Sequence, residues 1–247
     1  MATSRPAGPS APLSEDPDVV SQKRAAASAA ADMLRDHMCV GLGTGTTVAQ
    51  LLPLIAERGL AGLRYAATSP QTEHAARALG LDVRPLDELG ELDVAIDGAD
   101  QFDPEGWLIK GGGGAHTREK IVAGAARCFV VICSSEKAVE RLSPPVPLEL
   151  LRFGVHHTLA RLGPARLRAD SPESPDGGLI ADYDGPIGDP RELATRLSQT
   201  AGVVEHGLFP PELVSVIVVA RGSGVELRRG AKPLERTVCS ASFSSSA

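Results

Sequence analysis

Between Asp97 and Lys120 the chain reads DGADQFDPEGWLIKGGGGAHTREK. Two aspartates three residues apart, Lys110, a run of glycines and Glu119 all fall in this one segment. A glycine run costs backbone entropy and packs nothing, so a folded protein keeps one where backbone must approach something closely. The amides of such a run, Gly111, Gly112 and Gly113 here, can form a nest for an oxyanion or a phosphate. Lys110 adds positive charge beside it and Glu119 supplies a base. Together these groups could move a proton next to a carbonyl, with a base to take it and donors to hold the enediolate that forms. A lone first-turn glutamate is ordinarily explained by the helix dipole. Its neighbours make Glu119 a candidate base instead.

Asp97-Gly98-Ala99-Asp100 closes the apolar run LDVAI, at what reads as the carboxyl end of a buried strand. Open α/β sheets place ligands at such ends, so Gly98 and Ala99 join the candidate binding residues. The two aspartates could bind a divalent metal, polarise hydroxyl groups or cap a helix. Asp103 reads as a turn residue ahead of Pro104. A second glycine loop, GLGTGTT from Gly41 to Thr47, lies between a strand and a helix. Backbone N–H groups at a helix start favour anions, and the hydroxyls of Thr44, Thr46 and Thr47 around Gly45 add donors. The loop lacks the Gly-Lys-Ser/Thr ending of a Walker A motif, and Thr46 stands where a dinucleotide fingerprint needs its third glycine. A small phosphate ester fits it better.

The lysines point the same way. Arginine outnumbers lysine 20 to 5, yet Lys110, Lys120 and Lys137 all lie in or just after the glycine-rich segment. A compact, titratable ammonium does chemistry that a planar guanidinium does not. Lys110 and Lys137 are therefore expected to be functional, and Lys120 beside Glu119 to be a solvated surface charge. His116 reads as a loop-edge polar residue, and no spacing singles out the other histidines.

These residues need a scaffold that alternates strands with helices. Helical spacing covers 18–36 and 47–59, with MCVGLG (38–43) as a strand between them. LRYAATS (63–69), a short strand near Val83, the strand ending at Asp97 and FVVICS (129–134) continue the series. Helices over 71–80 and from about Ala115 separate them. This is the pattern of a parallel sheet covered on both faces. Past the prolines of SPPVPLELL it changes to helices near 152–162 and 190–200 around a Pro/Asp/Gly-rich loop, a small α+β domain. VSVIVVA (214–220) and VELRR (225–229) then read as strands returning to the first sheet. The expected partition is a leader over 1–17, a catalytic Rossmann-like α/β domain over 18–143 plus 213–233, a small domain over 144–212 and a flexible tail over 234–247.

Composition excludes several classes. A net charge of −6 with 3% aromatic residues and no basic block argues against nucleic acid. No apolar run is long enough to cross a membrane, and the opening residues lack the apolar centre of a secretory signal. The four cysteines form no CxxC pair and are expected as buried reduced thiols of a cytoplasmic protein.

With its motifs in this order, the chain resembles ribose-5-phosphate isomerase of the A type over roughly residues 18–230. GLGTGTT, AIDGAD, LIKGGGGAHTREKIVAG, SSEKAVERL, PVPLELL and GVVEHGLF carry the resemblance. It implies that Glu119 is the general base, that Asp97, Asp100 and Lys110 are catalytic, and that Thr44–Thr47 and Lys137 hold a phosphate. Lys23 matches a lysine that also approaches it. The resemblance further implies no metal or other cofactor, and a homodimer or homotetramer acting on a phosphosugar. The expected reaction interconverts D-ribose 5-phosphate and D-ribulose 5-phosphate, in the non-oxidative branch of the pentose phosphate pathway. Asp97 and Asp100 would engage sugar hydroxyls. A paralogous isomerase of another phosphosugar and a non-catalytic sugar-phosphate sensor are the alternatives. Three positions depart from the pattern: Gln101 replaces a glutamate, His116 an apolar residue, and SPDGGLIAD a TDNGN-like turn.

Overall fold

The computed structural model describes residues 16–169, 171–222 and 224–233. Along the chain come α1 (Pro17–Ala31), β1 (Cys39–Leu42), α2 (Thr46–Glu57), β2 (Arg64–Ala67), α3 (Pro70–Ala78) and α4 (Leu86–Leu89). Next are β3 (Leu92–Asp97), β4 (Gln101–Phe102), β5 (Leu108–Ile109), α5 (His116–Ala125) and β6 (Ala126–Ser134), the last followed by a 3-10 turn, Ser135–Lys137. Then follow β7 (Val146–Leu150), α6 (Val155–Leu162), β8 (Ala165–Leu167), β9 (Leu179–Tyr183), α7 (Pro190–Ser198), β10 (Val203–His206) and β11 (Leu208–Phe209). The strands β12 (Val216–Arg221) and β13 (Gly224–Arg229) close the series.

The main sheet has six strands in the order β13-β12-β6-β3-β1-β2, parallel except for the antiparallel edge strand β13. Its central strands are nearly continuous apolar runs because both faces are covered. Alternation within a strand divides the core in two. Val94, Ile96, Val130 and Ile132 pack on one side with α1 and α2, and Ala95, Phe129, Val131 and Cys133 on the other with Val122 and Ala123 of α5. Small side chains let α1 lie close to the sheet: Ala26, Ala27 and Ala30 are fully buried. Asp16 caps that helix by accepting from the Asp18 N–H, with Pro17 in its first turn.

Two smaller antiparallel sheets complete the molecule. One has four strands in the order β10-β7-β9-β8, and the other three in the order β11-β5-β4. The latter carries the segment that leads into Lys110.

Several expectations need adjustment. The first helix already begins at Pro17, capped by Asp16, inside the expected leader, and it ends at Ala31, well before residue 36. The segment near Val83 makes only an isolated bridge to Tyr65. Most of the leader and the whole of 234–247 lie outside the described residues. Cys39 and Cys133 are free and buried, but Cys128 is disulfide-bonded, so the expectation of four reduced thiols does not hold. The absence of a CxxC pair gave no sign of it, because a disulfide depends on which residues folding brings together and not on their spacing.

Candidate active site

The site forms where β1 and β3 end side by side. The Gly43 N–H donates to the Ile96 carbonyl at 2.9 Å, which draws the two strand ends together. A Cβ at Gly43 would lie 1.9 Å from the Asp97 side chain, so only glycine fits there. Asp97 Oδ1 accepts from the N–H groups of Thr44 at 3.1 Å and Gly98 at 2.7 Å. Its other oxygen meets Lys110 Nζ at 2.8 Å, and Lys110 also donates to the Gly98 carbonyl at 2.6 Å. Lys110 is delivered from β5, its own N–H bonded to the Gly207 carbonyl at 2.9 Å.

Glu119 arrives from the opposite side. His116, Glu119, Val122 and Ala123 are the buried residues of α5, spaced to share one helix face. Lys110 Nζ lies 3.2 Å from Glu119 Oε2, and that buried oxygen has no other polar partner among the described residues. One buried ammonium thus serves two buried carboxylates. Asp97 has the shorter contact and two N–H donors besides. Glu119 has neither, and burial together with the Asp97 charge raises its pKa to about 8 against the pull of Lys110. Burial alone would lower Lys110, but Asp97 and Glu119 hold its pKa above the usual lysine value. The cluster therefore holds a charged lysine between two carboxylates whose pKa values burial raises, Asp97 as well as Glu119, and Glu119 is ready to exchange a proton near neutral pH.

The threonine loop lies next to this cluster. Gly45, at φ +116°, precedes α2, so Thr46 and Thr47 form its first turn with their N–H groups facing outward. Lys23 of α1, itself buried, donates to Thr46 Oγ1 at 2.8 Å. Lys137 comes from the turn after β6, whose Ser135 is tied to Gln22 of α1 by two hydrogen bonds of 2.9 Å. Asp100 accepts from the Gly112 N–H at 2.8 Å, which joins the aspartate loop to the glycine run.

A cavity of about 140 Å³ collects these groups. Thr44–Thr47, Gly98, Ala99, Asp100, Lys110, Gly111–Gly113, Glu119 and Lys137 all line it, and Lys23 joins them. Asp97 does not line it. It sits behind Lys110 with its side chain 4% exposed. Among the described residues no group of three or more His, Cys, Asp or Glu is placed to hold a metal ion.

Two sequence expectations fail here because tertiary packing covers the residues concerned. His116 is fully buried, not surface, and burial with the nearby Lys120 charge lowers its pKa to about 3, leaving a neutral ring. Lys120 is not a solvated charge. It donates to Glu205 and to the His206 carbonyl, each at 2.7 Å, and lies over the Phe209 ring. His206, which no spacing marked, is also buried. Gln101 turns away from the cavity and exchanges two hydrogen bonds of 2.9 Å with Ser143.

Residues 64–224 match the family model of ribose 5-phosphate isomerase A (phosphoriboisomerase A). Ribose-5-phosphate isomerase A of Caulobacter vibrioides is 41% identical over 218 residues, covering 83% of this chain and 96% of the relative. The crystal structure of ribose 5 phosphate isomerase A from Neisseria gonorrhoeae superposes with a TM-score of 0.82 at 29% identity, over 87% of this chain and 98% of that one. A D-ribose-5-phosphate isomerase solved in complex with phospho-erythronic acid gives a TM-score of 0.81 at 33% identity, over 85% of this chain and 99% of the other. The chain therefore belongs to the ribose 5-phosphate isomerase A family.

Proposed function

We propose that this protein interconverts D-ribose 5-phosphate and D-ribulose 5-phosphate through a cis-enediolate, with Glu119 as the base. The supporting observation is a buried carboxylate lining the cavity beside the glycine run, with a pKa of about 8 and the Lys110 ammonium 3.2 Å from one oxygen. A base works best when its pKa lies near the operating pH, and this one does. The phosphate binds the amides of Gly45–Thr47 and the threonine hydroxyls of the same loop with Lys137 and Lys23, which sets the open-chain sugar against Glu119. Glu119 takes the proton from carbon 2, and the electron pair of that C–H bond becomes the C1–C2 double bond. The carbonyl electrons move onto oxygen 1, where Lys110 and the glycine amides stabilise the charge. The proton on oxygen 2 passes to oxygen 1. Return of a proton from Glu119 to carbon 1 re-forms a carbonyl at carbon 2, the ketose. Asp100 is placed to engage the sugar hydroxyls. Asp97 acts from behind, orienting Lys110 and keeping it charged.

The reading extends to a homodimer or homotetramer working in the cytoplasm. Exposed Leu151, Phe153 and Val204, at adjoining ends of β7 and β10, offer an apolar surface for a second copy. The phosphosugar is the substrate, and neither nucleic acid nor membrane is a partner. Among the described residues no helix is long and apolar enough to cross a membrane.

The test is turnover of purified protein on a panel of five- and six-carbon phosphosugars, with Glu119→Gln alongside. Fastest turnover of ribose 5-phosphate, abolished by the amide, is the expected result. Preference for another sugar would reassign the substrate. A Glu119→Gln variant above about a tenth of the wild-type rate would remove the base from its role.

A further inference from the structure

Arg168 follows β8 and forms no part of the cavity wall. Its guanidinium nevertheless reaches the glycine run. Nη1 donates to the Gly111 carbonyl at 3.1 Å and to the Gly112 carbonyl at 2.9 Å. The other edge of the same group is engaged by Asp182 of β9, through Nε at 3.0 Å and Nη2 at 2.7 Å. Both side chains are largely buried, 18% and 8% exposed. A planar fork with five donors can grip a carboxylate and two carbonyls together, which a lysine cannot.

The grip falls where the backbone has least to fix it. Gly111 has φ +104°, and neither it nor Gly112 or Gly113 has a side chain to pack. In a planar trans peptide the carbonyl and the N–H point in opposite directions. Holding the Gly111 carbonyl therefore aims the Gly112 N–H the other way, where it meets Asp100 at 2.8 Å. Holding the Gly112 carbonyl turns the Gly113 N–H away from Arg168. That N–H has no partner among the described residues, and Gly113 lines the cavity.

We propose that Arg168, braced by Asp182, is a positioning residue for the isomerisation. It orients two peptide units of the glycine run, so that one N–H holds Asp100 and the next is presented to the enediolate oxygen. This rests on the reading that the run faces the reacting carbons. Arg168 touches no substrate and acts through the backbone alone. Small displacements suffice for a large effect, since a shift of about 1 Å in a positioned group can cost about 10²-fold in rate.

The experiment compares Arg168→Ala and Arg168→Lys with wild type in kcat, KM and inhibition by phospho-erythronic acid, whose planar carboxylate imitates the enediolate oxygens. Arg168→Ala should lower kcat about 10²-fold, change KM less than about threefold, and weaken the inhibitor in step with kcat. Arg168→Lys should stay close to the alanine variant. Millimolar methylguanidinium should restore part of the alanine variant's rate. A folded Arg168→Ala with kcat within about threefold of wild type overturns the proposal, and so does a full rescue by lysine, which would mean that charge alone matters. If the alanine variant does not fold, Asp182→Asn takes its place, and an unchanged kcat there is equally fatal. Glu119→Gln separates the two levels of the argument. A dead Glu119→Gln with fully active, folded Arg168 variants removes only the clamp, whereas an active Glu119→Gln removes the site reading beneath it.

Discussion

Lys110 and Lys137 face the same cavity, but the side chain of Lys110 is 3% exposed and that of Lys137 is 35% exposed. Around Lys110 the protein has buried two carboxylates with one ammonium. Burial first, and the Asp97 charge second, raise the Glu119 pKa. Around Lys137 and Thr44–Thr47, donors are left open on a loop and a helix start, with Glu136 4.0 Å from the ammonium. One end of the cavity uses burial to tune a proton acceptor. The other uses accessible N–H, hydroxyl and ammonium groups to hold a charge that never reacts. Chemistry needs a displaced pKa, while grip needs only donors in place.

Substitutions should break the two ends differently. Glu119→Gln should reduce kcat by about 10²–10⁴-fold with KM nearly unchanged, because the amide keeps the shape and loses the base. Steady-state kinetics on ribose 5-phosphate would show it, and a matching rise in KM would contradict it. Lys137→Ala should lower kcat/KM for the phosphosugar by about 10- to 100-fold, as expected for one charge-assisted hydrogen bond. The slow turnover of free ribose should barely change, since it has no phosphate to lose. Equal proportional losses on both substrates would move Lys137 to the reacting end.

Lys110→Met tests the buried end through stability. Removing the ammonium between Asp97 and Glu119 should cost about 3–5 kcal/mol at neutral pH, read from denaturant unfolding. The cost should shrink in acid, because protonating Asp97 removes the unpaired charge. A cost independent of pH would mean that packing, not charge, is lost.

The pH profile sharpens the comparison further. A base must be ionised to act, so kcat/KM should fall as pH drops through about 8, the Glu119 pKa. Burial is the first cause of that raised value and the Asp97 charge the second. Asp97→Asn deletes the negative neighbour and frees Lys110 for Glu119, so the acid limb should move to lower pH. A limb that stays put would assign the shift to burial alone. The smallest effect is expected from chelation: EDTA should leave the rate unchanged, and loss restored by a divalent ion would reassign Asp97 and Asp100 as ligands.

Much of this molecule was legible before folding. Alternation of apolar runs with helical spacing specified a covered parallel sheet, because those periods are local properties of the chain. The cavity-lining residues were legible too, since glycine loops at strand ends place whole segments, from Thr44 to Thr47 and from Gly98 to Gly113, against a ligand at once. Only the tertiary structure decided the rest. His116 and Lys120 lie one helix turn apart, and nothing in their spacing says that β10 and Phe209 will cover them. Arg168 is one arginine among 20 in the sequence, distinguished only by the carbonyls and the carboxylate that folding brings to it. Asp97 passes behind Lys110, away from the cavity, because β1 and β3 end side by side at Gly43. The pKa of Glu119 is likewise no property of a glutamate in a TREK motif. It arises from desolvation and from charges carried in by other elements, and both depend on which surfaces meet in space, not on residue order.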